Sequence, residues 1–193
     1  MSEQLDLFGF HPPSRDDRLY FALVPSDPVK QQIFRLARRW RSDLGLTGPP
    51  ILPGCLHVSL YGLGDYAGIP QRLVEVTRKA GDAVRQPAFD ITLDRVLSFN
   101  GKNGKRPFVL RPSTNIAALS EFHRALGSSM KSVGLAQCAV PRFTPHMTLL
   151  YDRQRIPERT VEAVCWHVDG FVLIHSLLNR GRHVHLARWP LNG

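Results

Sequence analysis

His57-Val58-Ser59-Leu60 and His146-Met147-Thr148-Leu149 share one pattern: a histidine, an apolar residue, a hydroxyl residue and a leucine. Both lie in runs with strand character, where successive side chains point to opposite faces. His57 and Ser59 therefore share one face, with Val58 and Leu60 on the other. His146 and Thr148 stand in the same relation to Met147 and Leu149. Each strand would bury its apolar side and present an imidazole and a hydroxyl opposite. Imidazole holds either protonation state near neutral pH. Two such strands facing one cleft would supply a base and an acid, with two hydroxyls to hold an anion as charge builds on it. The plainer alternative is two histidines hydrogen-bonded in unrelated places, and the matched strand context of both motifs argues against it.

The remaining histidines are less pointed. His183-x-His185 has a spacing that could suggest a metal, but no Asp, Glu or Cys accompanies it at ligand spacing. These two, with His167 and His175, are expected in the core or facing solvent. The cysteines Cys55, Cys138 and Cys165 are odd in number and lack paired metal spacing, which suits free, mostly buried thiols in a reducing cytoplasm.

The positioning elements follow from local pattern. Residues 1–17 read as a flexible polar lead, and 18–193 as one domain. Arg18 to Val24 is an apolar strand stopped by Pro25. Ser26 or Asp27 then caps a helix with Pro28 in its first turn. Val29, Ile33, Leu36, Ala37 and Trp40 form its stripe, leaving Arg35, Arg38, Arg39 and Arg41 mostly outward. A second helix spans about 70–85. Alternation over Phe89, Ile91 and Leu93 makes a strand that pairs with Phe108-Val109-Leu110. The loop between, 98–106, carries Lys102, Lys105 and Arg106. A third helix fits 114–133, with Ile116, Leu119, Phe122, Leu126 and Met130 as its stripe and His123 off it, at the surface. Strands near 164–168, 171–176 and 183–189 complete an order of β-α-β-α-β-β-α-β-β-β-β. The two histidines are 146 − 57 = 89 residues apart, which suggests a duplicated unit, 18–97 against about 107–189.

The net charge is +9, from 25 Lys and Arg against 16 Asp and Glu, and only five of the 25 are lysine. Guanidinium forks suit phosphate and base contacts, so RNA ends or oligonucleotides are the expected partners; scattered surface arginine is the bland alternative. No apolar run is long enough to span a bilayer, and the N-terminus lacks a secretion signal's pattern, so a cytoplasmic location is expected. A monomer is expected. Gln4-Leu5-Asp6-Leu7-Phe8 resembles the pentapeptide by which some bacterial proteins dock on the replication sliding clamp. A tail whose Leu7 and Phe8 tuck onto the body is the competing reading.

The paired motifs resemble the His-x-Ser/Thr-x repeats of the 2H phosphoesterase superfamily, and most closely the bacterial 2′-5′ RNA ligase or RNA 2′,3′-cyclic phosphodiesterase group. The likeness runs from Arg18-Leu19-Tyr20-Phe21-Ala22-Leu23 to Ala187-Arg188-Trp189-Pro190-Leu191. It implies a bilobal α+β fold, with two antiparallel sheets lining a central cleft, helices outside and a pseudo-twofold duplicated unit. It also implies hydrolysis of cyclic phosphate ends to 2′-phosphates with no metal or nucleotide cofactor. His57 would give a proton to the 3′ oxygen and His146 would activate water, with Ser59 and Thr148 on the phosphate. Reversal would join a 5′-hydroxyl without ATP in a 2′-5′ link. Many relatives carry arginine just after the second motif, where this chain has Leu150-Tyr151. Tyr151, Arg153, Lys102, Lys105 and Arg106 are the candidate RNA contacts. Alternatives are the same site acting on small cyclic nucleotides or 2′-5′ oligonucleotides, and a non-catalytic RNA-binding module.

Overall fold

The structure, a computed structural model, describes residues 14–101, 103–114 and 116–192. The Gln4–Phe8 pentapeptide and Lys102 lie outside the described residues. The elements are β1 (Asp17–Leu23), α1 (Asp27–Asp43), β2 (Val58–Tyr66), α2 (Gln71–Asp82), β3 (Phe89–Ser98), β4 (Arg106–Arg111), α3 (Ala117–Ser132), β5 (Met147–Asp152), β6 (Arg159–Val168), β7 (Gly170–Leu177) and β8 (Arg182–Pro190). Local patterning therefore predicts the right order. Among the described residues no helix is long and apolar enough to cross a membrane.

Two antiparallel halves, β6-β3-β4-β5 and β2-β1-β7-β8, meet through a single paired position, Val58 with Met147. That pair is the centre of a topological twofold relating β1-α1-β2 to β4-α3-β5. The repeat does not follow chain halves. β3 lies beside β4 and β6, while β7 and β8 lie beside β1. The cause is the short connection from β3 to β4: two strands joined by a few residues pair as a hairpin, tied here by Phe99 N–H to the Pro107 carbonyl at 2.9 Å. The outer strands are thus exchanged between units.

The main core contains Leu19, Phe21 and Leu23 of β1, with Ile33 and Ala37 of α1, Val74 and Ala80 of α2 and Leu119, Phe122, Leu126 and Met130 of α3. The alternate residues of β1, Tyr20 and Ala22, join Val172 and Ile174 in a small cluster on the opposite face. Alternation thus gives one sheet face to the helices and leaves the other for a site.

Three expectations change. His123 is buried, at 5% exposure, and not at the surface. One residue on from Phe122 it sits 100° round the helix, where its ring stacks 4.0 Å from both Tyr61 and Phe143. Gly127, one turn on, makes room, since a Cβ there would collide with Tyr61 Oη. Ile116 is exposed, because α3 begins after it. Cys165 is exposed on β6, while Cys55 and Cys138 are half-buried; all three are free.

Arg41 also turns inward. Its guanidinium donates to the carbonyls of Thr47 (3.1 Å) and Gly48 (2.9 Å). Asp152, at the end of β5, accepts from the N–H groups of the same two residues at 2.7 and 2.8 Å, and from Gln154 N–H at 2.9 Å. Burial alone would raise the Asp152 pKa, but these bonds and the Thr47 hydroxyl outweigh it and hold the carboxyl at about 2. Because the folded value lies below the unfolded 3.8, the stabilisation is complete above that pH and fades as pH falls toward 2. Asp152→Ala is expected to cost ~2–4 kcal/mol at pH 7, read as a lower urea midpoint. The variant should also lose the share of the parent's acid sensitivity that Asp152 contributes between those two pH values.

Candidate active site

The single-point contact of β2 with β5 explains the cleft. Val58 and Met147 pair with both side chains fully buried, and the same register runs His57 opposite Thr148 and Ser59 opposite His146. Continued one residue each way, that register sets the histidine of each motif across from the hydroxyl of the other, while the hydroxyl within hydrogen-bond reach of His57 is Ser59 of its own motif. Beyond this point the strands part, and Ile51 N–H takes the Leu149 carbonyl at 2.7 Å. The segment 49–52 becomes one wall of a cleft of ≈ 910 Å³ that holds His57, Ser59, His146, Thr148 and Tyr151.

Both imidazoles are held alike. His57 Nδ1 lies 2.8 Å from the carbonyl of Cys55, and His146 Nδ1 lies 2.8 Å from that of Thr144. A carbonyl only accepts, so Nδ1 carries hydrogen in each ring and Nε2 is the reactive nitrogen. Nε2 of His57 lies 3.1 Å from Ser59 Oγ, close enough to accept the hydroxyl hydrogen. Burial pushes the His57 pKa down; the Cys55 carbonyl opposes this, while His146 and His185 add to the depression. His57 is therefore neutral in the free chain at pH 7. An arriving phosphate anion acts in the opposite sense and favours its protonated form.

Each motif strand carries a β-bulge at the third residue after its histidine. Leu60 is the extra residue between Ser59, opposite Ala22, and Tyr61, opposite Phe21. Leu149 is extra between Thr148, opposite Val109, and Leu150, opposite Phe108. A bulge shifts the alternation by one. Tyr61 and Leu150 are consequently buried, and the residues five after each histidine, Gly62 and Tyr151, line the cleft. Tyr61 is a core residue stacked on His123 and does not face substrate. Tyr151 is 50% exposed.

Of the other candidate contacts, Lys105 lines a hollow that shares Tyr151 with the main cleft, together with Asn100 and Gly101. Residues 99–101 and Lys105 thus flank the site, and Phe99 packs edge-on to His146 at 4.9 Å. Arg106 and Arg153 do not line the cleft: Arg106 Nη1 donates to the Arg153 carbonyl at 2.9 Å. Among the described residues lining the cleft, Arg18 is the one Lys or Arg, and it forms a two-point pair with Asp65 at 2.7 and 2.8 Å.

Arg18, Tyr20 and His183 are cleft residues that local pattern does not reveal. Arg18 and Tyr20 sit in an apolar run that reads as core. His183 looks like any histidine of a strand until β8 is placed beside β7, and β7 beside β1. His167 and His175 instead pair with Asp90 (2.8 Å) and Asp17 (2.6 Å) away from the cleft. Among the described residues no group of three or more His, Cys, Asp or Glu is arranged to hold a metal ion.

The fold and this paired site define a 2H phosphoesterase. The sequence matches the family model of the 2′-5′ RNA ligase superfamily over residues 24–180, and the chain belongs to that superfamily. It resembles Escherichia coli LigT in its apo form, at 28% identity over 93% of this chain and 100% of LigT, with a TM-score of 0.68. A solved phosphoesterase is 26% identical over 92% and 99%, with a TM-score of 0.69. TT0787 of Thermus thermophilus, 22% identical over 91% and 98%, shares the fold at a TM-score of 0.69. LigT has also been solved with 3′-AMP, ATP, NADP+ and phosphate. No curated protein matches the chain by sequence. A phosphoesterase activity, and so a hydrolase, is the coarse functional assignment.

Proposed function

We propose that the chain opens 2′,3′-cyclic phosphate ends of RNA to 2′-phosphates by metal-independent, two-histidine acid–base catalysis. The observation that carries this reading is the matched tethering of His57 and His146. Each Nδ1 is fixed on a carbonyl at 2.8 Å, which leaves two Nε2 atoms for one cleft with Ser59 and Thr148 beside them. Opening the ring needs a base to take a proton from water and an acid to protonate the departing 3′ oxygen. His146 takes the water proton. His57 gives the other, having gained it as the phosphate arrives. The hydroxyls of Ser59 and Thr148 donate to the nonbridging oxygens, and Tyr151 offers its ring to a base. Run backward, the same steps join a 5′-hydroxyl to the cyclic phosphate in a 2′-5′ link.

One observation favours a shorter substrate as a second reading. Arg18, the one guanidinium lining the cleft among the described residues, is already engaged by Asp65, so the described cleft lining offers no unpaired guanidinium to a long backbone. The solved LigT complexes with mononucleotides and NADP+ are in keeping with this.

The deciding experiment is product analysis on an oligonucleotide ending in a 2′,3′-cyclic phosphate, with EDTA present, beside the matching cyclic mononucleotide. A 2′-phosphate product is expected. A 3′-phosphate product would overturn the assigned geometry of attack. Salt-dependent binding without turnover of either substrate would replace the reading with an RNA-binding module. A mononucleotide rate far above that of the oligonucleotide would select the second reading.

A further inference from the structure

The first-motif imidazole is walled in by two rings from other strands. The Tyr20 ring lies 4.9 Å from that of His57, the His183 ring lies 5.1 Å away at 73°, and Tyr20 and His183 are 6.0 Å apart. Tyr20 Oη and His183 Nε2 are 3.3 Å apart, which closes the triangle with a hydrogen bond. The start of β8 is anchored on the segment that carries His57. Cys55, whose carbonyl takes the His57 hydrogen, donates its own thiol to the Gly181 carbonyl at 3.1 Å. Gly181, at φ +55, makes the left-handed turn that brings His183 back over the cleft.

We propose that His183 is a positioning residue for the reaction: with Tyr20 it fixes the plane of the His57 ring and keeps bulk water from it, so that Nε2 holds one heading into the cleft. The proposal rests on His57 being one of the two proton-transfer groups. The Nδ1 bond to the Cys55 carbonyl and the Ser59 hydroxyl at Nε2 hold the two edges of the His57 ring. A ring turned about its Cβ–Cγ bond would lose the Nδ1 bond and swing Nε2 off the phosphate, and His183 blocks the turn.

The wall is uncharged where the reaction runs. Facing His57 are Tyr20 from β1, Cys55 from the preceding turn, Ser59 two residues on in β2, His146 just before β5, and His183 and His185 from β8. Lys30 of α1 and Arg188 act through His185, whose pKa burial and these two cations depress. Burial raises the Tyr20 phenol well above its usual value, so it keeps its hydrogen. Burial, with His57 and His185 nearby, pushes His183 down to about 4. The neutral His183 therefore does not compete for the proton that His57 must carry.

The test reads the His57 ring by NMR titration of the full chain without substrate, together with the pH dependence of kcat/KM. His183→Ala should raise the His57 midpoint toward the ordinary histidine value of about 6.5 and move the matching limb of the kcat/KM profile with it. At pH 7, kcat/KM should fall ~10–100-fold, the scale of a small misplacement of a reacting group. His183→Phe, which restores a ring without nitrogens, should return the midpoint and most of the rate. His183→Thr, suited to a strand, removes the ring and is read in the same way where the alanine variant does not fold. An unchanged midpoint and pH profile in the ring-less variant would overturn the proposal. So would a phenylalanine variant as impaired as the alanine one, because a nitrogen touching substrate would then be at work. The midpoint is read without substrate, so its outcome stands apart from whether the cyclic phosphate is the right substrate.

Discussion

His57→Ala and His146→Ala should each lower kcat for a 2′,3′-cyclic phosphate by ~10²–10⁴-fold, the usual weight of a positioned acid or base. The fold should survive both changes, because each ring stands on the cleft face while Val58 and Met147 carry the packing at 0% exposure. The parent should show a bell-shaped pH–rate profile, since one imidazole must be neutral and the other charged. Each alanine variant should lose the limb that belonged to its missing ring. EDTA should leave the parent rate intact, as proton transfer between two imidazoles, water and a ribose oxygen needs no Lewis acid. Parental turnover in either variant, with an unchanged melting temperature, would sink the two-histidine scheme.

Thr148→Val should cost ~10²–10³-fold in kcat with a smaller change in KM, the pattern of a donor whose bond strengthens as charge builds in the transition state. Valine keeps the shape and removes only the hydroxyl, so stability should hardly move. Ser59→Ala should be similar in size but differ in kind. In the free chain the Ser59 hydroxyl is 3.1 Å from His57 Nε2, so its loss also alters the proton affinity of that ring and should shift the pH profile. Ser59→Thr keeps the hydroxyl and should retain activity. An effect on KM alone in Thr148→Val would show that the hydroxyl binds phosphate equally before and during the reaction, removing it from the catalytic scheme.

The bulges decide which residues beyond the motifs reach the cleft. Tyr151 lies two residues beyond the second motif, and the extra residue at Leu149 turns it into the cleft. Its counterpart Gly62 brings no side chain to the equivalent point. The cleft is thus lopsided, with a phenol ring on one side and open space toward Arg18 on the other. That asymmetry lies outside the two near-identical motifs, in the residues that follow them.

Much of this protein was written locally. The strand alternation that sets His57 with Ser59 and His146 with Thr148 has a period of two and needs no knowledge of neighbours. The helix stripes with a period near 3.6 gave the three helices and, with the strands, the order of elements. Those periodicities are properties of a few consecutive residues, so the sequence carries them directly. Other features depend on which strands lie side by side, a contact between residues far apart in the chain. The exchange of β3 against β7 and β8 is one, and the burial of His123 between Tyr61 and Phe143 is another. The twin bulges arise only where β2 meets β1 and β5 meets β4. His183 reaches His57 only because β8 completes the sheet that begins at β2. The sequence by itself determined which groups could do the chemistry and which face each strand would show. The tertiary structure decided which rings surround them, since side-chain direction is a local matter and side-chain company is not.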